Sequence, residues 1–355
     1  MLDPRVEKAA RVLVDYSTRV KKGDRVIISA QFDASPVALA VYKLCLKRGA
    51  YPVIRCAMPG ANHMFFKYAS DAQLKRFPKV AMYEIKNTDV FINLFADYNT
   101  RELTNIDPNK IALRSKILNP ISRWRCDKTR WVLFDYPTNS SAQEAGMSLS
   151  EFEDFVFKAV DLNWPQFEKK LSRLASFVNK AEHVRIVGKD TDIEMTIKGS
   201  NCVSGDGECN MPGGEIFTAP NKFSVNGHIK FDFPSIRYGS IVRGIYLEFK
   251  NGKVVKAEAE YGQEVLESML KTDAGASYLG ELGIGCNFNI TRHTNNTLFD
   301  EKIGGTIHLA LGNAYPECNG KNKSALHWDL IKDLRTNGRI YLDGKLFQKN
   351  GKFLV

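Results

Sequence analysis

The sequence predicts an α/β fold joined to an α+β fold: an N-terminal open α/β domain with parallel strands and a C-terminal domain with a mainly antiparallel sheet. In the first half helical and strand-like segments alternate, and beyond Glu182 apolar and polar residues alternate with the period of a strand. With 355 residues, 44% of them hydrophobic, the chain is too long for one average domain but can build two cores. We expect domains at residues 1–165 and 166–355.

The first half carries the signals of a strand, helix and strand unit. Asp3-Pro4 supplies a cap and a first-turn proline, and Ser35-Pro36 marks the start of a second helix. Strands in such a unit of about thirty residues pair in parallel through a right-handed crossover. The predicted elements are a helix from Asp3 to about Val20, a strand at Arg25–Ala30, a helix from Ser35 to Gly49, and strands at Tyr51–Ala57, Val90–Leu94 and Trp131–Phe134.

The turn after the first strand argues against a dinucleotide-binding function. It consists of Gln31-Phe32-Asp33-Ala34-Ser35, without a glycine that would let a pyrophosphate approach the backbone. The phosphate-binding motifs GxxxxGKS and GxxxxGKT are also missing from the sequence. We therefore expect no nucleotide cofactor.

The second half changes to strands after two bridging helices. The helices are predicted at Leu149–Val160, capped by Ser148 or Ser150, and at Pro165–Asn179. The dipeptide Asn251-Gly252 is a strong hairpin signal, which indicates antiparallel pairing. The predicted strands are His183–Val187, Asp192–Ile197, Gly239–Phe249 and Lys253–Ala259, with a helix near Gln263–Lys271.

The formal net charge of +10 permits contact with nucleic acid or acidic surfaces. Lysine and arginine are nevertheless spread along the chain among 40 acidic residues. The densest basic cluster, Arg123–Arg130 with Trp124 and Trp131, is compatible with a stacking face, but we interpret it as a solvated loop leading into a buried strand. We expect no nucleic-acid partner.

The sequence also predicts a soluble, cytoplasmic protein without a membrane partner. Apolar runs fall short of the roughly 18 to 20 residues that span a bilayer, and the N-terminal segment from Asp3 to Lys8 is charged. Seven scattered cysteines, with no CxxC pair among them, are expected to be reduced and mostly buried.

Carboxylates and imidazoles in the C-terminal half form a candidate metal site. Such side chains are the ligands with which hydrolytic enzymes bind zinc, cobalt or manganese. Glu281 lies among small and apolar residues, where a buried charge is costly unless a cation is near. His327 and Asp329 are two positions apart on an extended segment and project to the same side. The candidate ligands are Glu215, Glu281, His308, His327 and Asp329.

Single residues of this set have plainer interpretations. Alone, His308 in a short strand is more typical of a hydrogen-bonded core residue, and Glu215 after two glycines is more typical of a surface residue. The other histidines lack a comparable carboxylate-rich setting, and we interpret them as structural. They are His63, His183, His228 and His293.

Four motifs follow one another in the C-terminal half: NMPGGEIFTAP, LGELGIG, DEKIGGTIHLALGNAYPE and SALHWD. Together they resemble the metalloaminopeptidases of the aminopeptidase T and aminopeptidase S family, and weaker similarity covers most of the chain. The resemblance implies an exopeptidase, forming homodimers, that removes N-terminal residues from peptides with two divalent ions. It implies the same five ligands, Tyr315 at the reaction centre, and Glu301 as a second-tier ligand or an outer-shell anchor for His308.

From this ligand set we expect a water activated by two divalent ions, zinc, cobalt or manganese. Glu281 or Glu215 would take the proton, and Tyr315 would donate a hydrogen bond to the tetrahedral oxyanion. The expected substrates are peptides with a free N-terminus. The alternative is a non-catalytic metal- or peptide-binding protein that retained the aminopeptidase fold.

Overall fold

The computed structural model describes residues 3–237 and 240–355 of the chain. Its helices are α1 (Pro4–Arg11), α2 (Ser35–Lys47), α3 (Ala61–Tyr68), α4 (Asp71–Lys75), α5 (Lys79–Lys86), α6 (Pro108–Lys128), α7 (Asn139–Glu144), α8 (Leu149–Val160), α9 (Trp164–Asn179), α10 (Gln263–Leu270) and α11 (Thr297–Asp300). Its strands are β1 (Arg25–Gln31), β2 (Tyr51–Ala57), β3 (Val90–Phe95), β4 (Arg130–Asp135), β5 (His183–Gly188), β6 (Thr191–Thr196), β7 (Val203–Gly205), β8 (Asn210–Met211), β9 (Glu215–Thr218), β10 (Asn226–Lys230), β11 (Ser235–Arg237), β12 (Ser240–Val242), β13 (Tyr246–Lys250), β14 (Lys253–Glu258), β15 (Leu279–Gly285), β16 (Thr306–Gly312), β17 (His327–Asp333), β18 (Arg339–Leu342), β19 (Lys345–Lys349) and β20 (Lys352–Phe353).

The chain forms two compact units. The first contains Met1–Leu162 and Gly207–Pro212, and the second contains Asn163–Asp206 and Gly213–Val355. We predicted a single boundary between residues 165 and 166. The chain instead leaves the first unit after Leu162 and returns to it for Gly207–Pro212, because β8 in this short segment pairs in parallel with β4.

The first unit is built around a parallel sheet with the strand order β2-β1-β3-β4-β8. Each neighbouring pair in this order is parallel. Ile28, Ile92 and Val132 are completely buried in the middle of the sheet. Ser148 caps α8, as predicted, in a capping box with Glu151. The predicted open α/β domain with parallel strands is confirmed.

The basic cluster Arg123–Arg130 is not the loop that we expected. Helix α6 continues through it to Lys128, although Pro120 lies inside the helix and prolines usually end helices. The Arg125 guanidinium lies 4.9 Å from the centre of the Trp131 ring and 5.5 Å from that of Phe91. At least one cation of the cluster therefore covers aromatic side chains of its own unit.

Besides the antiparallel pair of β11 and β12, the second unit contains two antiparallel sheets that share one hydrophobic core. Their strand orders are β14-β13-β10-β6-β5-β18-β19-β20 and β17-β16-β15-β9-β7. Ile186 and Leu247 of the first sheet belong to the same buried cluster as Leu282 and Leu309 of the second. Helix α9 packs against β7 and β9. The predicted mainly antiparallel domain is confirmed.

The hairpin between β13 and β14 turns at Asn251 and Gly252, as predicted, with φ angles of 50° and 81°. The single strand predicted at Gly239–Phe249 is wrong, and its first residue lies outside the described residues. Strands β12 and β13 are separated at Arg243–Ile245, where Arg243 bridges to Tyr261 instead.

Every helix among the described residues is too short or too polar to cross a membrane. The cysteines divide into four buried thiols (Cys45, Cys202, Cys286, Cys318) and three exposed ones (Cys56, Cys126, Cys209).

Candidate metal centre

Four neighbouring strands, β9, β15, β16 and β17, carry the candidate ligands on one face of their sheet. Successive side chains of a strand point to opposite faces. The face turned to the hydrophobic core carries Ile216, Leu282, Leu309 and Leu330. The residues next to these in sequence therefore share the opposite face, and they are Glu215, Glu281, His308 and Asp329, with His327 two positions before Asp329.

Two glycines, each on the strand next to one that carries a ligand, make room for these side chains. Gly283 pairs with His308 across β15 and β16, and Gly205 pairs with Glu215 across β7 and β9. A β-carbon on Gly283 would lie 2.0 Å from Cε1 of His308, and one on Gly205 would lie 2.7 Å from Cγ of Glu215. Any other residue at either position would push the opposite side chain away.

The His308 imidazole is held between main chain and carboxylates. Its Nδ1–H donates to the main-chain carbonyl of Glu301 at 3.1 Å. This bond leaves Nε2 facing Oε1 of Glu281 at 3.4 Å and Oε2 of Glu215 at 3.5 Å. A histidine oriented in this way presents one nitrogen as a ligand while a hydrogen bond fixes the other.

The His327 imidazole is arranged in the same way. Its Nδ1–H donates to the main-chain carbonyl of Asn313 at 2.8 Å. Its Nε2 lies 3.3 Å from Oε2 of Glu281 and 3.5 Å from Oδ1 of Asp329. The carboxylate of Glu281 therefore lies between two imidazoles.

Two groups of ligand atoms are close enough to hold a cation. Glu281, His308 and Asp329 form subsite A, and Glu215, Glu301 and His308 form subsite B; in each, one ligand atom per residue lies within 4.8 Å of the others. Within the described part of the chain, Oε2 of Glu215 and Oδ1 of Asp329 are buried and make no hydrogen bond; the imidazole nitrogens that face them lie 3.5 Å away. Buried carboxylate oxygens without a hydrogen bond are costly, and divalent ions bind such oxygens together with imidazole. The residues present therefore fit a divalent metal ion.

Lys302 lies inside the centre, although the sequence analysis did not single it out. Its side chain is fully buried, with Nζ 3.3 Å from Oε1 of Glu215 and in contact with Oε1 of Glu301. Burial alone would lower the pKa of Lys302, but the charges of Glu215 and Glu301 raise it above its ordinary value. The side chain is therefore a buried ammonium group.

The carboxylates also shift the pKa values of the imidazoles. Burial alone would lower the pKa of His308, but Glu281 and Glu215 raise it to about 10. For His327, interactions with Asp329 and Glu281 outweigh burial and raise the pKa to about 11. Without a metal ion both imidazoles are therefore protonated on both nitrogens and positively charged at neutral pH.

The pKa values of two carboxylates of the centre, Glu281 and Glu301, are shifted in opposite directions. Burial would raise the pKa of Glu281, but hydrogen bonds from His308 and His327 lower it below its usual value. Burial raises the pKa of Glu301 to about 8; Lys302 opposes this shift, and the charge of Glu215 adds to it. At neutral pH Glu301 therefore holds its proton more readily than Glu281 does.

Tyr315 lies at the edge of the centre. Its ring centroid is 4.9 Å from that of His327 and 5.7 Å from that of Phe217. Burial, followed by the charges of Glu281 and Asp329, raises the pKa of the phenol. The hydroxyl therefore keeps its proton and is a hydrogen-bond donor at neutral pH.

The family profile described as "Thermophilic metalloprotease (M29)" matches residues 2–353 of the chain. The chain belongs to the M29 metalloprotease family. It is 27% identical to "Aminopeptidase 2" of Geobacillus stearothermophilus, over 96% of this chain and 95% of that protein. It is also 27% identical to "Aminopeptidase AmpS" of Bacillus subtilis, over 95% and 94% of the two chains.

The M29 chain also matches solved structures over nearly its full length. Wild-type AmpT from Thermus thermophilus matches with a TM-score of 0.86 at 21% identity, over 99% of both chains. The predicted resemblance to the aminopeptidase T and S family is confirmed by these matches, and the predicted metal-dependent aminopeptidase is supported at the level of the family.

A protein named for a different reaction has a related fold. The structure of 2,5-dihydroxypyridine dioxygenase from Pseudomonas putida KT2440 matches with a TM-score of 0.65 at 15% identity, over 99% of this chain and 97% of that one. Identity this low shows a shared fold alone. The reaction of the M29 chain therefore has to be argued from the side chains of its centre.

The structure brings together all the side chains that the sequence analysis singled out for the centre, Glu301 and Tyr315 included. Sequence reasoning missed Lys302, because the run Asp300-Glu301-Lys302 has the composition of an exposed turn. His293, which we interpreted as structural, lies with its Nε2 3.0 Å from Oδ2 of the buried Asp300. Burial of such a charged run is set by strands distant in sequence, and no local pattern indicates it.

Proposed function

We propose that this M29 chain is an aminopeptidase whose centre takes two divalent ions, one at subsite A with His327 as a further ligand and one at subsite B, and that the one free nitrogen of His308 ligates only one of the two. Zinc, cobalt and manganese all suit imidazole and carboxylate ligands. The observation that carries the proposal is the pair of ligand groups that overlap at His308, together with the buried oxygens of Glu215 and Asp329 that make no hydrogen bond.

Bound divalent ions supply Lewis-acid chemistry, polarising a scissile carbonyl and acidifying water. The side chains supply the proton transfers. Glu281 accepts the proton of the attacking water on the carboxylate that now faces His308 and His327, and passes it to the departing amine. Tyr315 donates its phenolic hydrogen to the developing oxyanion, and its raised pKa supports this role as donor.

The carboxylates of the centre support recognition of a free N-terminus. Glu215, Glu281, Glu301 and Asp329 lie in the centre, and Lys302 contacts two of them, Glu215 and Glu301. An unblocked peptide brings an α-amino group, which a carboxylate or a bound ion can hold, whereas an acetylated peptide offers no such group.

A homodimeric state and a cytoplasmic location, expected from the sequence and the family resemblance, belong to the proposal as well. Light scattering on the purified full chain would test the first, and cell fractionation would test the second.

A comparison of two substrates tests the proposed activity. The metal-loaded protein should hydrolyse leucine p-nitroanilide, should leave N-acetyl-leucine p-nitroanilide intact, and should lose the activity to a chelator and regain it with zinc, cobalt or manganese. Cleavage of both substrates at equal rates would indicate a different hydrolase. If neither is cleaved while the ions bind, the chain is the non-catalytic binding protein that the sequence left as the alternative.

A further inference from the structure

Lys302 places a positive charge inside subsite B. Its Nζ is 3.3 Å from Oε1 of Glu215 and touches Oε1 of Glu301, the two carboxylates that subsite B offers besides His308. Subsite A differs in this respect. In the described ranges, 3–237 and 240–355, the ion pairs of Glu281 and Asp329 are with histidines alone, which lose their charge when they bind a metal.

The main chain of Lys302 is held in place on both sides, and its side chain is buried. The main-chain N–H of Lys302 donates to the carbonyl of Phe299 at 3.0 Å, and its own carbonyl accepts from the N–H of Asn287 at 3.1 Å. The side chain is 0% exposed. A surface lysine can swing into water when an ion approaches, but Lys302 has no such exit without local rearrangement.

The formal charge of the centre favours one ion over two while this lysine is in place. Metal ligands bind in their deprotonated form, and in that state, with both imidazoles neutral, the four carboxylates and the Lys302 ammonium group carry a formal charge of −3. One divalent ion brings this to −1, which the α-ammonium of a substrate would neutralise, whereas a second ion makes the buried centre positive before any substrate binds. Uncompensated charge of either sign is costly in a buried site.

We propose that the two subsites are unequal: subsite A holds the resident ion, and Lys302 competes with the second ion for Glu215 and Glu301 in subsite B. This inference rests on the proposed function, in that it takes the centre to bind divalent ions. Lys302 acts as a monovalent substitute for the second cation. An ion that enters subsite B has to displace the ammonium group from two carboxylates or lie beside a like charge.

Zinc binding to the full-length protein, after removal of metal with a chelator, tests the proposal. Equilibrium dialysis at buffered free zinc, with bound zinc counted by mass spectrometry, should show one tightly held ion and a second at least about tenfold weaker. In Lys302→Met the second ion should bind at least about tenfold more tightly than in wild type, because the competing charge is gone while the length of the side chain is kept.

Lys332→Met is the matched control. Lys332 is also buried in the second unit, but its Nζ lies 3.1 Å from Oδ2 of Asp232 and has no contact with the centre. This variant should keep the wild-type zinc isotherm. Circular dichroism and melting curves establish that each variant is folded. If Lys302→Met does not fold, Lys302→Gln replaces it, because glutamine is neutral but retains a hydrogen-bond donor. In Lys302→Gln, too, the second ion should bind more tightly than in wild type.

Two equally tight ions in wild type would overturn the proposal. So would an unchanged or weakened second ion in the Lys302 variants, since Lys302 would then organise subsite B instead of competing for it. Failure of the proposed function gives a different result. If the chain is not an aminopeptidase, leucine p-nitroanilide stays uncleaved while the zinc isotherms still differ between wild type and Lys302→Met. If no zinc binds at all, both proposals fail together.

Discussion

Each oxygen of the Glu281 carboxylate faces a different imidazole, with His308 Nε2 at 3.4 Å and His327 Nε2 at 3.3 Å. The side chain is 5% exposed, so almost no water competes for it. A carboxylate in this position can accept a proton beside the other ligands without a change in the position of its side chain. We therefore place the proton transfer on Glu281.

Glu281→Gln should lower kcat at least about 10²-fold with leucine p-nitroanilide, because the amide keeps the shape of the side chain but cannot accept a proton. Steady-state kinetics at saturating metal measure this effect. Glu194→Gln, an exposed glutamate on strand β6 of the same unit, serves as the control and should retain full turnover. Turnover within about threefold of wild type in Glu281→Gln would remove the proton-transfer role.

Tyr315→Phe tests the donor role of the phenol. The ring contacts with His327 and Phe217 are kept, and only the hydroxyl is lost. We expect kcat to fall at least about 10²-fold with zinc stoichiometry unchanged, since the lost hydrogen bond acts in the transition state. Tyr341→Phe on strand β18 is the control. A variant of Tyr315 that lost zinc along with activity would point to a ligand and not to a donor.

At the scale of the element, the centre depends on the pairing of β15 with β16. Gly283 lies opposite His308, and Glu281 lies opposite Ala310, so that the carboxylate and the imidazole reach the same face at adjacent positions. A slip of one residue would turn the ligands toward the hydrophobic core. The glycine-rich sequence of β15 is therefore part of the metal site as well as of the sheet.

Gly283→Ala should weaken zinc binding at least about tenfold, because its β-carbon would lie 2.0 Å from Cε1 of His308 and displace the imidazole. Equilibrium dialysis of metal measures the change. Gly188→Ala is the control. A β-carbon added at this strand glycine would come no closer than 3.3 Å to Leu334, so zinc binding should stay at the wild-type level. Unaltered zinc affinity in Gly283→Ala would mean that His308 is not a ligand.

Across the whole molecule, metal loading should release protons. The pKa values of His308 and His327, about 10 and about 11 in the metal-free protein, lie above neutral pH, so both rings are protonated before the ion binds. Ligand nitrogens have to lose these protons to coordinate. Zinc affinity should therefore rise as the pH is raised from neutral to mildly alkaline, because protons compete less for the same nitrogens.

Titration calorimetry with zinc at neutral pH, in two buffers of different ionisation enthalpy, measures the released protons directly. The observed enthalpies should differ between the buffers, with more than one proton released per first ion. Lys302→Met should release a similar number with that ion, since Lys302 is not a ligand of subsite A. Equal enthalpies in both buffers would contradict protonated imidazoles in the metal-free centre.

Much of the fold could be predicted because its signals are local. The strand, helix and strand unit of the first half, the hairpin at Asn251-Gly252 and the projection of His327 and Asp329 to one side all depend on residues close together in the sequence. The errors arose where local signals conflict with packing. Pro120 lies within a helix, and the chain returns to the first unit for β8.

The sequence by itself determined the type of chemistry, because imidazole and carboxylate donors in glycine-rich strands suit a divalent ion whatever their final distances. Only the tertiary structure decided how these donors divide into two subsites around His308 and that Lys302 lies buried in one of them. The physical reason is strand register: Glu215, Glu281 and His308 meet through hydrogen bonds between β9, β15 and β16, which lie far apart along the chain. Lys302 is buried in contact with Glu215 and Glu301, and burial makes the charge of that lysine matter for the metal.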